Sequence, residues 1–345
     1  MAASAPPRRV LVAWSDDWAD TARTLRWSLA HVVRPSDRVS LLHVRCTEGL
    51  LPTALPVVEV SMPLPTLLSA WHSGDLGPAS KAVAYALQTL QSAAAEVDAT
   101  ELRTTLSRSD ALIAFLRHTA SSSKPPAFLV MGSHGARNVG GATWKVSHTS
   151  LDVAAQLTVC PLYLARPRDA ATLDVASEPE SVPSAPASRS IVIALDGAAP
   201  GSSLLTRWFI SNALRPSDHV TVLHREVGAA QEAADAELAR CCDMLRSASC
   251  AGARFASFKP STNLQTLLGG ASTFRLPAHL VDLSESGLDA TQGPPDLMVL
   301  GSRGEAAMSL KRLVLGSTAD YVLKMAACSV LLVPPLHLTV PGAIP

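Results

Sequence analysis

Short, wholly apolar runs alternate along this chain with longer segments whose apolar residues recur at helical spacing. In the C-terminal half, SIVIALDG (190–197) is a continuous apolar run of strand length that stops at Asp and Gly. SSLLTRWFISNAL (202–214) follows, with Leu204, Leu205, Trp208, Ile210 and Leu214 roughly on one face at helical period. Then come HVTVLH (219–224), the Ala-rich helical segment AQEAADAELARCCDMLRS (230–247), ARFASFK (253–259), PDLMVLGS (295–302), STADYVLKMAA (317–327) and CSVLLVP (328–334). Strands that are apolar throughout, rather than alternating, belong to a parallel sheet covered by helices on both faces. The βαβα succession therefore predicts a doubly wound α/β fold.

The pattern occurs twice. WSLAHVVRPSDRVSLLHV (27–44) matches WFISNALRPSDHVTVLHR (208–225) at a constant offset of 181, pairing Trp27 with Trp208, Asp37 with Asp218 and His43 with His224. FLVMGSHGARN (128–138) matches LMVLGSRGEAA (297–307), and TVCPLYLARP (158–167) matches AACSVLLVPP (326–335), at an offset that has fallen to about 168. Chance is a poor explanation, and an internal repeat decides the architecture. The chain divides into a first domain at 8–167, a linker at 168–187 dominated by Pro, Ser, Ala and acidic residues, and a second domain at 188–336. The extra length of the first copy is accounted for by a Pro-rich surface insertion at about 48–72.

Composition narrows the functional classes. The 345 residues carry 29 Lys plus Arg against 29 Asp plus Glu, and aromatic residues make up 4%. No basic field or base-stacking platform argues for nucleic acid. Within LLPTALPVVEVSMPLPTLLSAW (50–71), four prolines and Glu59 argue against a membrane span. The N-terminus has no long apolar leader, and the six cysteines show neither CxxC nor zinc-ligand spacing, so a reduced, cytoplasmic setting is expected.

The chemistry-bearing stretch is LGSRGEAAMSLKRLVLGST (300–318). Gly301 closes an apolar strand and Gly304 follows three residues later, where backbone amides can turn towards an anion. Gly316, Ser317 and Thr318 open a helix, with Asp320 at capping-box spacing from Ser317. Free amides at a helix start favour phosphate. The two Gly-Ser pairs thus form the two sides of a possible phosphate cradle.

VLGSRG, followed by a loop and GSTADYVLKMAACSVLLVP, together with IVIALDG at the head of the copy, resembles the universal stress protein family. The resemblance covers nearly all of 188–335 and, more loosely, 8–167, so the chain looks like a tandem member. It implies five-stranded parallel sheets of the adenine-nucleotide-binding type. The second copy would hold ATP, with Mg²⁺ as a possible companion. Carried over, Asp196 would sit beside the nucleoside, and backbone near Arg225 would face the adenine. Gly301 and Gly304 would approach ribose and phosphates, while Gly316, Ser317 and Thr318 would bind phosphate oxygens. The spacer from Gly304 to Gly316 is eleven residues, two longer than the family's usual one, and either bulges outwards or displaces the cradle.

The first copy departs further. His148-Thr149 aligns with Gly316-Ser317, and Trp14 and Trp18 crowd the end of the first strand beside Asp16. Poor binding, or none, is expected there. Each sharp reading has a bland neighbour: Asp196 as a turn or helix cap, Lys311-Arg312 as a solvated pair, His43 and His224 as structural histidines, and Cys241-Cys242 as packing. The sequence lacks GxSxG, HExxH and a Walker GxxxxGK[ST], so no catalytic constellation and no metal site are expected, and any ATP hydrolysis would be slow and incidental. Two functions remain. One is a nucleotide-binding regulator of a stress response that meets a protein partner the sequence does not identify. The other is a ligand-free interaction scaffold, its two copies packed as an intramolecular pseudo-dimer through their closing strands or assembled further as a homodimer.

Overall fold

The computed structural model describes residues 7–15, 17–46, 57–62, 78–121, 126–133, 146–166, 188–195, 201–225, 231–248, 250–258, 294–302 and 317–334. These fall into two compact units, one N-terminal to the expected linker and one C-terminal to it.

The first unit runs β1 (Arg9–Trp14), α1 (Trp18–His31), β2 (Arg38–Cys46), β3 (Val57–Met62), α2 (Pro78–Ala93), β4 (Glu96–Thr104), α3 (Arg108–Ala120), β5 (Phe128–Gly132), α4 (His148–Gln156) and β6 (Leu162–Ala165). Its strands lie in the order β3-β4-β2-β1-β5-β6. All neighbours are parallel except β3, which pairs antiparallel with β4. The second unit runs β7 (Ser190–Leu195), α5 (Gly201–Asn212), β8 (His219–Arg225), α6 (Gln231–Ser247), β9 (Gly252–Phe258), β10 (Leu297–Gly301), α7 (Ser317–Met325) and β11 (Ser329–Val333). Its order is β9-β8-β7-β10-β11, parallel throughout.

The expected strands form because they can be buried on both faces. Val10, Leu11 and Val12 of β1 and Met298, Val299, Val330 and Leu331 of β10 and β11 are fully inaccessible. Trp27 and Trp208 are both buried, as the repeat predicts for a shared core anchor. Among the described cysteines, all free, Cys160, Cys241, Cys242 and Cys328 are buried in these cores. Burial pushes the Cys160 thiol up to about 12, and raises those of Cys241 and Cys242 for the same reason.

One expectation is corrected. Within the Pro-rich insertion, Val57–Met62 adds an edge strand to the sheet, paired from Val57↔Thr104 to Met62↔Ala99. Pro56 and Pro63 bracket this stretch but do not enter it, so no residue within it lacks an amide N–H for the ladder. The first unit consequently has six strands with one antiparallel edge, where the resemblance implied five parallel ones.

The repeated Arg-Pro-Ser-Asp tetrapeptide has a structural cause. The Asp37 carboxylate accepts from the Arg34 amide at 2.8 Å, closing the turn between α1 and β2, and receives Arg8 through Nε at 2.9 Å and Nη2 at 2.5 Å. Arg8 Nη2 also donates to the Val32 carbonyl at 2.9 Å. Asp218 repeats the arrangement: the Arg215 amide at 2.7 Å, Arg189 Nε at 2.8 Å and Nη2 at 2.5 Å, with Arg189 Nη2 also donating to Ala213 at 2.9 Å. A planar fork matched to a carboxylate satisfies both charges at once, which is what a buried ion pair requires. Each clamp stands at the amino ends of the first two strands of its unit.

Candidate functional site

In an open parallel sheet the ligand crevice lies beyond the carboxyl ends of the strands, where the strand order reverses. That point falls between β1 and β5 in the first unit and between β7 and β10 in the second.

In the first unit the crevice is a small, partly open cleft. The strand ends contribute Trp14, His43 and Gly132, and three helix starts bring Asp20, Arg108 and Thr149. Local capping sets those helix starts. Asp17 caps α1 by accepting from the amides of Ala19 and Asp20, which places Asp20 in the first turn. Ser107 caps α3 by accepting from the Asp110 amide and leaves Arg108 as its first residue. Ser147 caps α4, accepting from the Ser150 amide at 3.0 Å. Trp14 and His43 stand opposite each other in the β1–β2 register, with ring centroids 6.0 Å apart and tilted by 54°. Trp14 therefore lines the cleft without closing it. His43 Nδ1 also lies 3.9 Å from a carboxylate oxygen of the buried Glu101.

Gly132 shows what has changed in this copy. A Cβ there would lie 2.5 Å from Thr24 Oγ1 and 2.6 Å from Asp20 Oδ2, so only glycine fits. The open side of its backbone, which a ligand would need, is covered by a hydroxyl and a carboxylate of α1. The Ser150 hydroxyl, moreover, donates to the Gly132 carbonyl at 3.2 Å. The Ser150 amide and the Gly132 carbonyl are thus both engaged by protein.

In the second unit, Arg225 and Gly301 end β8 and β10, the strands on either side of β7, so the fold brings these two expected positions to the same rim. Ser317 is the first residue of α7, as expected for the helix start, and Thr318 is half-buried in its first turn. Asp320 accepts from Lys324 Nζ at 2.8 Å, the i,i+4 partner on its exposed side. Asp196, Gly304, Gly316, Lys311 and Arg312 lie outside the described residues. The Ser302 amide donates to Val333 at 3.0 Å, tying the end of β10 to β11. His224 is fully inaccessible and its Nδ1–H donates to the Leu195 carbonyl at 3.3 Å, the arrangement of a structural histidine.

Sequence reasoning missed a pair of matched positions. At the repeat offset of 181, Asp20 corresponds to Gly201 and Thr24 to Leu205. Among the described residues, a Cβ at Gly201 would meet nothing within 4 Å, so the start of α5 carries no side chain where α1 carries the Asp20 carboxylate. Among the described residues no group of three or more His, Cys, Asp or Glu is placed to hold a metal ion, and no helix is long and apolar enough to cross a membrane.

Residues 290–334, which span β10, α7 and β11, match the model of the universal stress protein family. No curated protein matches the chain at a significant level. Among solved structures, a functionally unknown protein of Pseudomonas aeruginosa PAO1 is 13% identical, covering 96% of this chain and 94% of its own, with a TM-score of 0.52. A universal stress protein from Archaeoglobus fulgidus DSM 4304 is 13% identical over 94% of this chain and 96% of its own, with a TM-score of 0.45. A universal stress protein solved in complex with cAMP is 18% identical over 42% of this chain and 96% of its own, with a TM-score of 0.27. The chain has an α/β fold shared with the Pseudomonas protein, and the segment that matches the family model is the closing part of the second unit.

Proposed function

We propose that the second unit holds an adenine nucleotide, ATP in the first instance, and that occupancy regulates how the protein meets a partner in a stress response. The observation that carries this reading is the family match at 290–334, joined by Gly201 standing where the first copy has the carboxylate of Asp20. Asp196 and backbone near Arg225 would hold the nucleoside; Gly301, Gly304, Gly316, Ser317 and Thr318 would hold the phosphates, with Mg²⁺ as their counter-ion. The reading assigns no chemical step to the protein.

Calorimetric titration of the full chain with ATP and Mg²⁺, beside Gly316→Val, tests it. One site per chain, abolished by the substitution, is the expected result. No binding to the unsubstituted chain would transfer the function to the ligand-free scaffold, with the two copies paired as a pseudo-dimer.

A further inference from the structure

The two units treat a matched strand of their sheets differently. Arg38 pairs with Glu96 in the first unit, and His219, its match at the repeat offset, pairs with Gly252 in the second, so β9 is the counterpart of β4. In the first unit β4 is not the edge, because β3 lies antiparallel against it over Val57–Met62. In the second unit β9 ends the strand order, and among the described elements α6 alone stands between β8 and β9. An unpaired edge is a row of amides and carbonyls ready to accept another strand, and proteins ordinarily blunt it with charge, proline or brevity. β3 is blunted in this way: the exposed Glu59 sits near its middle, and Pro56 and Pro63 flank it. β9 lacks these devices. Its sequence, GARFASF, holds no proline, no lysine and no acidic residue. Its one charged residue, Arg254, donates through Nε to Thr221 Oγ1 at 2.8 Å, over the neighbouring strand β8 and not at the edge.

We propose that β9 is a docking edge for a second copy of this chain, the two β9 strands pairing antiparallel about a two-fold axis normal to the sheet. Symmetry supports this choice of occupant. Such an axis runs the two strands in opposite directions, and the antiparallel sense is the one in which the matched strand β4 takes its extra partner. One contact also covers two unprotected edges, whereas a foreign strand would cover one. Electrostatics do not oppose the approach. The chain carries 29 Lys plus Arg against 29 Asp plus Glu, and the only charged side chain of each β9 is held by its own β8. β3 then reads as the first unit's internal substitute for this partner: a strand supplied in cis by the insertion does for β4 what a second copy does for β9. The surface is distinct from the nucleotide rim and does not depend on its occupancy.

Sedimentation velocity of the full chain, from about 1 to about 100 μM, reads the self-association, and hydrogen exchange followed by mass spectrometry at both ends of that range locates it. The expected result is a shift from the 36.1 kDa monomer towards the dimer. The amides of 252–258 should then exchange at least about tenfold more slowly at the higher concentration. Proline separates strand pairing from any other contact. Successive residues of a strand turn their amides to opposite sides, so Ala253→Pro and Ala256→Pro remove one donor towards β8 and one towards the edge. Whichever variant melts higher has kept its ladder to β8, and it should sediment as a monomer throughout the range. A native chain that stays monomeric overturns the proposal and leaves the edge to an extended segment of another protein. A dimer whose added protection appears elsewhere, as at the closing strands β6 and β11, overturns it too, and so does the higher-melting proline variant if it dimerises as tightly as the unsubstituted chain. The exchange measurement decides the question even if both proline variants fail to fold.

Discussion

At matched positions of the two units, α1 offers Asp20 and Thr24 where α5 offers Gly201 and Leu205. The strands behind them are alike in length, order and burial, and both copies keep a glycine at the end of the strand that follows the reversal, Gly132 and Gly301. The difference between the two rims therefore does not come from the sheet. It comes from which side chain the first turn of one helix turns towards that glycine. A carboxylate 2.6 Å from where a Cβ would sit makes Gly132 a packing glycine, while Gly201 puts no side chain at the matched start of α5. Retention of a glycine motif is thus poor evidence of a retained site unless the facing helix is considered too.

The clamps offer the largest test of this comparison, since they are what the two units share most closely. Arg189→Met would leave Asp218 buried without its partner and is expected to cost about 3–5 kcal/mol. The same change at Arg8, whose side chain is 10% exposed against 1% for Arg189, should cost less, because the place of that guanidinium is nearer to water although both carboxylates are fully buried. Urea unfolding followed by circular dichroism compares the two, and equal losses would show that the clamps are not graded by burial. Next in size is Gly201→Asp, which gives the second unit the first unit's carboxylate. It should lower ATP affinity about tenfold, equivalent to about 1.4 kcal/mol, without lowering the melting temperature, because an acidic residue at a helix start is favourable. An unchanged affinity would separate the two rims by something other than this position. The smallest effect is expected for Ser147→Ala, which removes the cap of α4 and should cost about 1 kcal/mol, measured by the same urea titration.

Much of this was legible in the chain. Strands buried on both faces read as unbroken apolar runs, so those of the second unit and most of those of the first stand out directly, and the constant offset between copies exposed the duplication. The edge strand β3 was hidden because Pro56 and Pro63 dominate the composition around it, although neither interrupts Val57–Met62. The Arg-Pro-Ser-Asp turn was visible as a repeat, but its meaning was not, since the arginine that clamps it lies 29 residues upstream. The candidate site was legible where its residues are local in sequence, as with Gly301 and the helix start at Ser317. Asp20 and Gly201 escaped notice because their significance arises only when the fold sets α1 and α5 against the ends of distant strands. The repeat offset did contain that information: aligning position 20 with position 201 displays the exchange.

The clamps stand at the amino ends of the strands and the ligand rims at the carboxyl ends, with the whole sheet between them. This spacing insulates one task from the other. Lesions and inventions at the rim leave the keel of each unit untouched, so a duplicated sheet can change its clientele by single exchanges such as glycine for aspartate. In such an architecture the two halves of one polypeptide can keep the same skeleton indefinitely while coming to answer different molecules.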